Sequence, residues 1–484
     1  MSLVLEALAR RARETPTVPI LTDGDRTWDC AGLEREIEAV ALRLGELLGA
    51  APSPRPVALA LDNGPAWVVL DLALMALGRP CLPLPPFFTP EQRSHAIADA
   101  GAVLLLSAPA APASPVLDVA GQVVAAQRLG VPPRTLHAGT AKITYTSGST
   151  GTPKGVCLSQ AQMEAVAASL VHAIGADYAG RHLAVLPLGV LLENVAGLYP
   201  TLLAGGCYDV RPLAGLGFGT DGRADLIRLA DAVDAAAITS LILVPELLRG
   251  LMAVLDGSRR RLPSLRLVAV GGAKVAPQLI VAARALGLPA YEGYGLSECG
   301  SVVALNTPRA DRPKSVGRIL PHLSVVIADD GEIVVGPRPF LGYVGGPPQT
   351  AAWRTGDLGG LDDGWLAITG RKSSVLITAY GRNVSPEWVE SELLAEPEIA
   401  QAAVFGEAAP TLCALLVPSR ADLPPGAVAG AVERVNARLP DYARIGRWAG
   451  TSPFAAARGE VTANGRPRRK VLRAAHHAFI EPSL

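Results

Sequence analysis

The chain has 484 residues, 49% of them hydrophobic and 18% charged, which is too long for one ordinary core and too apolar for a disordered polymer, so two or three folded domains are expected. Lys plus Arg and Asp plus Glu each total 44, for a formal net charge of zero, and this argues against a nucleic acid or an anionic membrane surface as partner. The six cysteines, at 30, 81, 157, 207, 299 and 413, have neither metal-ligand nor disulfide-framework spacing, so reduced thiols and a cytoplasmic setting are expected.

The N-terminal stretch MSLVLEALARRARETP carries Glu6 inside its apolar start and reads as a short amphipathic helix, not a signal peptide. PVALALD (56–62) reads as a buried strand, PAWVVLDLALMALG (65–78) as a helix ended by glycine, and CLPLP (81–85) as another strand. TPEQRSHAIADA (89–100) opens with Thr then Pro, a helix start, and AVLLLS (102–107) returns to strand. This β-α-β-α-β rhythm implies parallel sheet covered by helices. It resumes in strands over 183–188, 237–245 and 265–272 and a helix over 276–287. Long apolar runs are interrupted by Asp71, or by Glu193 and Pro200, so no transmembrane segment is expected. Beyond about residue 310 the texture changes. LSVVIAD (323–329) and GEIVVGP (331–337) flank Asp330-Gly331 as a hairpin. Stretches 364–371 and 373–384 read as further strands, and SPEWVESELL (385–394) as a helix with Trp388 as a packing residue. The last hundred residues look like a small α+β unit, with a boundary near GRKSS (370–374).

Several segments carry groups suited to a phosphate ligand. In YTSGSTGTPKG (145–155) a strand runs into three glycines, whose backbone N–H groups can approach phosphate oxygens. Ser147, Ser149, Thr150 and Thr152 add donors and Lys154 a charge, although a flexible surface loop has the same composition. It is neither G-x-x-x-x-G-K-[ST] nor G-x-G-x-x-G. Gly271 and Gly272, with Ala273, end a strand where a flat ring can lie against backbone; Tyr294 offers a stacking face, Ser297 a hydroxyl and Glu298 a carboxylate for a hard cation. Asp357, in WRTGDLG just after a tight turn, is an acceptor suited to two ribose hydroxyls. Near the C-terminus, TANGRPRRKVL sets Arg466, Arg468, Arg469 and Lys470 behind an Asn-Gly turn.

TYTSGSTGTPKGV resembles the phosphate-binding loop of the adenylate-forming superfamily, which includes acyl-CoA synthetases, firefly luciferase and the adenylation domains of peptide synthetases. The other segments follow in order, so the resemblance covers almost the whole chain and is closest to acyl-CoA synthetases. It implies an α/β fold. A large N-terminal domain (1–372) of parallel and mixed sheets covered by helices, with a β-rich subdomain, would bind acid and ATP. A small mobile α+β domain (373–484) would hinge near Ser373, where relatives usually have Asp or Lys. It implies that Thr146, Ser147, Gly148, Ser149, Thr150, Gly151 and Lys154 serve the triphosphate. Gly271, Gly272, Ala273, Tyr294, Gly295 and Ser297 would serve the adenine, Glu298 a Mg²⁺ ion, and Asp357 and Arg371 the ribose. Gly381 would let a pantetheine arm pass.

The implied reaction is ATP-dependent activation of a small-molecule carboxylic acid to an acyl-adenylate, followed by transfer to a thiol, with release of pyrophosphate and AMP. The thiol belongs either to CoA or to the phosphopantetheine of a separate acyl carrier protein. Joining two anions requires a cation between carboxylate and α-phosphate. The resemblance places a lysine there from an Asn-Gly-Lys loop; this chain has Arg466 at that position, with Lys470 as the other candidate. In the acid-binding stretch LPLGVLLENVAG (186–197), Gly189-Val190 replace an aromatic-His pair of fatty-acid relatives. No aspartate stands where peptide-synthetase domains hold an amino group. The Leu191-Leu192 pair and the 5% aromatic content lean toward a fatty or aliphatic acid. The alternative is a nucleotide-binding homologue that has lost turnover with its lysine.

Overall fold

The computed structural model describes residues 2–49, 54–109, 116–146, 153–175, 178, 180–219, 224–462 and 465–481. Among these, helix Leu3–Glu14 starts at Ser2, whose hydroxyl accepts from Leu5 N–H. Helix Pro90–Ala100 shows how directly local chemistry sets the ends. Thr89 and Gln92 form a reciprocal capping box, Pro90 opens the first turn, and Gly101 ends it in the left-handed conformation at φ 65°.

Two large sheets build the N-terminal part. In one, strands Cys207–Asp209, Arg181–Leu183, Ser240–Leu243, Leu267–Val270 and Ala290–Tyr294 run parallel. Ser240–Leu243 is buried throughout, as expected of a strand covered on both faces. Past Ala290–Tyr294 the same sheet continues with antiparallel pairings through Ala304–Leu305, Arg318–Ile319, Trp365–Arg371, Trp353–Asp362, Glu332–Gly336 and Ser324–Ile327. In the other sheet, Val57–Ala60 lies parallel to Cys81–Pro83 and Leu104–Ser107. Cys81–Pro83 pairs with Thr140–Thr146, followed by Lys154–Ser159 and Gly342–Tyr343 in antiparallel order. One hydrophobic cluster draws on both sheets, including Leu21, Leu59, Leu106 and Tyr208, and on helix Pro65–Ala76 through Trp67 and Leu70. A third sheet pairs Ile399–Phe405 with Leu412–Pro418 and that strand with Ile445–Gly450. Helices Pro386–Leu394 and Ala427–Arg438 pack on it around Val389, Leu416 and Val435. No helix among the described residues is long and apolar enough to cross a membrane.

The α/β class expected from the sequence holds, and the hairpin around Asp330-Gly331 pairs as expected, Val325 with Val335. Three local expectations are corrected. The strand expected over 183–188 ends at Leu183: the Ala184 amide still reaches the Asp209 carbonyl of the neighbouring strand, but side chains take amides beyond it. Glu193 accepts from Val185 and Leu186, and Asn63 accepts from Leu188. The strand expected over 373–384 is a small hairpin of Leu376–Ile377 and Asn383–Val384, turned by Gly381 at φ 69°. Asp357 does not follow a turn. It lies inside the ten-residue strand Trp353–Asp362, kinked by Gly356 at φ 75°.

Candidate active site

The parallel strands deliver the site residues from their C-terminal ends, where ligands bind in open α/β sheets. Ser240–Leu243 leads to Val244, Leu267–Val270 to Gly271, Gly272 and Ala273, and Ala290–Tyr294 to Gly295, Ser297 and Glu298. Gly272 takes φ 84°, a left-handed backbone that glycine adopts without strain.

Tyr294, Asp357 and Arg371 meet. The Tyr294 hydroxyl donates to Asp357 Oδ2 at 2.7 Å, and Arg371 Nε donates to Oδ1 at 2.7 Å. Asp357 and Arg371 are directly paired across their two strands. Burial, reinforced by the Asp357 carboxylate, holds the Tyr294 phenol far above its ordinary pKa and so protonated. Burial works against the Arg371 cation, but the Asp357 contact outweighs it and raises its pKa. The result is a buried carboxylate with fixed orientation, flanked by a donor and a cation.

Glu298 sits in the single turn Ser297–Cys299. Its Oε1 accepts from the Tyr343 hydroxyl at 2.7 Å, and Lys154 Nζ stands 5.6 Å from the centre of the Tyr343 ring. Tyr343 escaped the sequence reading; its only signal is the short PFLGYVGG stretch, which pairs with Lys154–Ser159 through Tyr343 and Val156. No group of three or more His, Cys, Asp or Glu among the described residues could hold a metal ion. Glu298, oriented through one oxygen, therefore fits a Mg²⁺ ion that arrives on phosphates and takes one protein carboxylate. Thr146 ends its strand opposite Lys154. Ser147, Gly148, Ser149, Thr150, Gly151 and Thr152 lie outside the described residues.

The basic run near the C-terminus separates into different roles. Arg466 Nη2 donates to the Gly272 carbonyl at 2.5 Å. Although the residue as a whole is exposed, its charged tip is crowded. Burial and the nearby Arg371 lower its pKa, opposed by Asp357, Glu387 and Glu246. Arg469 is bound to Glu387 at 3.0 Å and to Glu390 at 2.6 Å. Lys470 is exposed in the first turn of helix Arg469–Ala475, and Arg468 is exposed ahead of it. Of the two candidate cations, Arg466 is the one bound to the Gly272 backbone. Gly381 is exposed at the tip of its hairpin, and a side chain there would meet open space.

Around stretch 186–197 lie two buried polar networks that sequence reasoning missed, one centred on Glu193 and one, on Lys142, whose members are far apart in the chain. Glu193, fully buried, accepts from Tyr208 at 3.0 Å and contacts His182 at 3.1 Å, besides the two backbone amides it holds. Lys142 donates to Asp71 at 2.8 Å, to the Tyr199 hydroxyl at 3.0 Å and to Asn194. This pins the π-turn Asn194–Leu198 against helix Pro65–Ala76. A Cβ at Gly189 would lie 3.1 Å from the Pro85 backbone, so a side chain there would press on Pro85.

The fold, with its family match, identifies an adenylate-forming enzyme. A family model described as AMP-binding enzyme matches residues 8–343, and one described as AMP-binding enzyme C-terminal domain matches 373–482; the chain belongs to the AMP-binding enzyme family. It is 31% identical over 468 residues to a long-chain-fatty-acid–CoA ligase, FadD15, of Mycobacterium bovis, covering 81% of this chain and 78% of that protein. Its fold is similar to that of the anthranilate CoA ligase AuaEII in complex with anthranoyl-AMP, at TM-score 0.81 and 20% identity over 98% of this chain and 97% of the other. It is also similar to o-succinylbenzoate CoA synthetase of Bacillus subtilis in complex with ATP and a magnesium ion, at TM-score 0.75 and 23% identity over 96% and 98% of the two chains.

Proposed function

We propose that this protein activates a fatty or other aliphatic carboxylic acid with ATP and transfers the acyl group to the thiol of CoA. It is an AMP-forming acid–CoA ligase. The observation that carries the reading is the Arg466 contact with Gly272, which places a cation beside the Asp357–Arg371–Tyr294 cluster. An acid oxygen attacks the α-phosphorus, and the bond to the β-phosphate oxygen breaks, releasing pyrophosphate. The thiol sulfur then attacks the acyl carbon, the bond to AMP breaks, and the thiol proton is lost to solvent.

Arg466 offsets the charge of the two anions as they join. Asp357 accepts the ribose hydroxyls, and Arg371 and Tyr294 hold its carboxylate in place. Mg²⁺, when bound, screens the phosphate charge, and Glu298 is the residue that would hold it. Lys154 and Thr146 border the phosphate loop, whose Ser147, Gly148, Ser149, Thr150 and Gly151 we assign to the triphosphate on sequence alone. Gly271, Ala273, Gly295 and Ser297 border the adenine. Gly381 gives the pantetheine arm a side-chain-free passage.

The aliphatic assignment is supported by the likeness to a fatty-acid ligase. It is supported too by Glu193, the one acid in the acid-binding stretch, being fully buried and engaged by four partners, so that it is not offered to a substrate amino group. We also take 373–484 as a unit that moves about Ser373. Lys372 is tied to Asp330 at 2.7 Å and to Glu332 at 3.2 Å, while Ser373 next to it is exposed. A separate acyl carrier protein is a second thiol donor of the same chemistry. A cytoplasmic setting is our reading of the six free cysteines.

A pyrophosphate-release screen over fatty, aryl and amino acids, with and without CoA, tests the assignment. Fatty acids should give the highest turnover. A clear preference for amino acids refutes the aliphatic reading, and ATP binding without turnover on any acid refutes the ligase.

A further inference from the structure

Arg249 belongs to none of the motifs above. It projects from helix Pro245–Ser258 onto the C-terminal part of the chain. Its Nη1 donates to the carbonyls of Leu394 at 2.7 Å and Ile399 at 3.2 Å, and its Nη2 to that of Ala400 at 3.5 Å. Leu394 is the last residue of helix Pro386–Leu394, so its carbonyl lacks an intrahelical partner and sits at the negative end of the helix dipole. A guanidinium from another part of the fold therefore caps this helix. Its Nε is buried without a partner, and burial lowers its pKa, opposed by Glu246. Keeping a cation so is unfavourable unless its contacts are needed.

Both ends of Arg249's connections lead to Arg466. The capped helix carries Glu387 and Glu390, which hold Arg469, and Arg466 lies three residues before Arg469. On the other side, the Arg249 helix begins after Val244, whose Cγ1 lies 3.4 Å from where a Gly272 Cβ would stand. Glu246, one turn before Arg249 on the same helix face, is among the carboxylates acting on Arg466. The connection thus closes from Arg249 through the capped helix and Arg469 to Arg466, and back through Gly272 and Val244.

We propose that Arg249 is a positioning residue for adenylation: it seats helix Pro386–Leu394 and segment 394–400 so that Arg466 reaches the Gly272 carbonyl. The activity part of the test rests on the ligase reading above; the seating does not.

The test compares the full chain with Arg249→Ala, Arg249→Lys, Arg466→Ala and the Arg249→Ala/Arg466→Ala double variant. Amide hydrogen exchange with AMP present should be about tenfold faster over 386–400 and 465–475 in Arg249→Ala. Strand Leu412–Pro418 should be unchanged, which excludes general unfolding, and Arg249→Lys should restore part of the protection. Acid-dependent ATP–pyrophosphate exchange, run with the most active acid of the screen, should fall about 10- to 100-fold in Arg249→Ala. The double variant should lose little beyond Arg466→Ala. Transfer to CoA from the supplied acyl-adenylate of the same acid should stay within about twofold. Unchanged hydrogen exchange, full additivity in the double variant, or equal losses in both half-reactions would each overturn the proposal. A wild-type chain with no pyrophosphate exchange on any acid overturns the ligase reading, and hydrogen exchange then decides the seating alone.

Discussion

Replacing Arg466 by alanine removes a guanidinium bound to the Gly272 carbonyl at 2.5 Å. A charge-assisted hydrogen bond of this kind contributes about 1.5–3 kcal/mol in place. A donor aimed at charge that develops during reaction contributes about 2.7–4 kcal/mol, or roughly 10²–10³ in rate. The larger range applies if Arg466 faces the charge that develops at the α-phosphate, with Arg371 and Asp357 close enough to act on it. Arg466→Ala should therefore lower acid-dependent ATP–pyrophosphate exchange by about 10²–10³-fold. Transfer from a supplied acyl-adenylate to CoA forms no bond to phosphorus and should fall far less. Lys470→Ala, which removes an exposed cation, should leave exchange within about twofold, as surface substitutions generally do. Arg466→Lys should recover part of the loss, since the charge returns without the planar fork. If Arg466→Ala leaves exchange intact while Lys470→Ala abolishes it, the assignment of the cation is wrong.

Glu193→Ala would leave the Val185 and Leu186 amides buried without acceptors and deprive His182 and Tyr208 of a partner. Chemical denaturation should show a loss of about 2–5 kcal/mol, and a loss below about 0.5 kcal/mol would contradict the role given to this carboxylate. Glu292, buried beside Lys274, has its carboxyl pushed up to about 7 by burial, against the pull of Lys274. A raised carboxyl pKa means that the folded chain holds a proton the unfolded chain has lost. This stabilisation is complete below about 4.5 and disappears as pH rises to about 7. Denaturation curves across that window should show a decline of up to about 3 kcal/mol from this group, and Glu292→Gln should flatten it; equal slopes in both proteins would refute the shift.

Legibility in the sequence followed the range of the interaction. Helix Pro90–Ala100 is written in Thr89, Pro90, Gln92 and Gly101, all within one short stretch, and the hairpin at Asp330-Gly331 is equally local. Gly271, Tyr294, Glu298, Asp357, Arg371 and Arg466 stand out because they sit in short segments that resemble those of the adenylate-forming superfamily. The strand expected over 183–188 stops early because Glu193 takes the Val185 and Leu186 amides and Asn63, more than a hundred residues earlier, takes that of Leu188. Periodicity cannot carry that information. Tyr343 and Arg249 were missed for the same reason: each acts on residues distant in sequence, Glu298 and Leu394, and neither lies in a motif. Lys142 and Asp71 look like stray charges in apolar runs until Tyr199 and Asn194 complete their shell.

On the proposed function, Gly272 would link acid selection to adenylation. Its carbonyl receives Arg466, while a side chain at the same residue would project toward Val244 at 3.4 Å and Leu192 at 3.8 Å. Enlarging residue 272 to shorten the space beside Leu192 would also force an L-residue to φ 84° and tilt the carbonyl that receives the cation. On that reading, selectivity and rate are coupled at this position. If these neighbours border the acid on the proposed function, variants seeking a different acid should gain more freely at Leu192 or Val244, where the side chain can change while the Gly272 carbonyl keeps its aim.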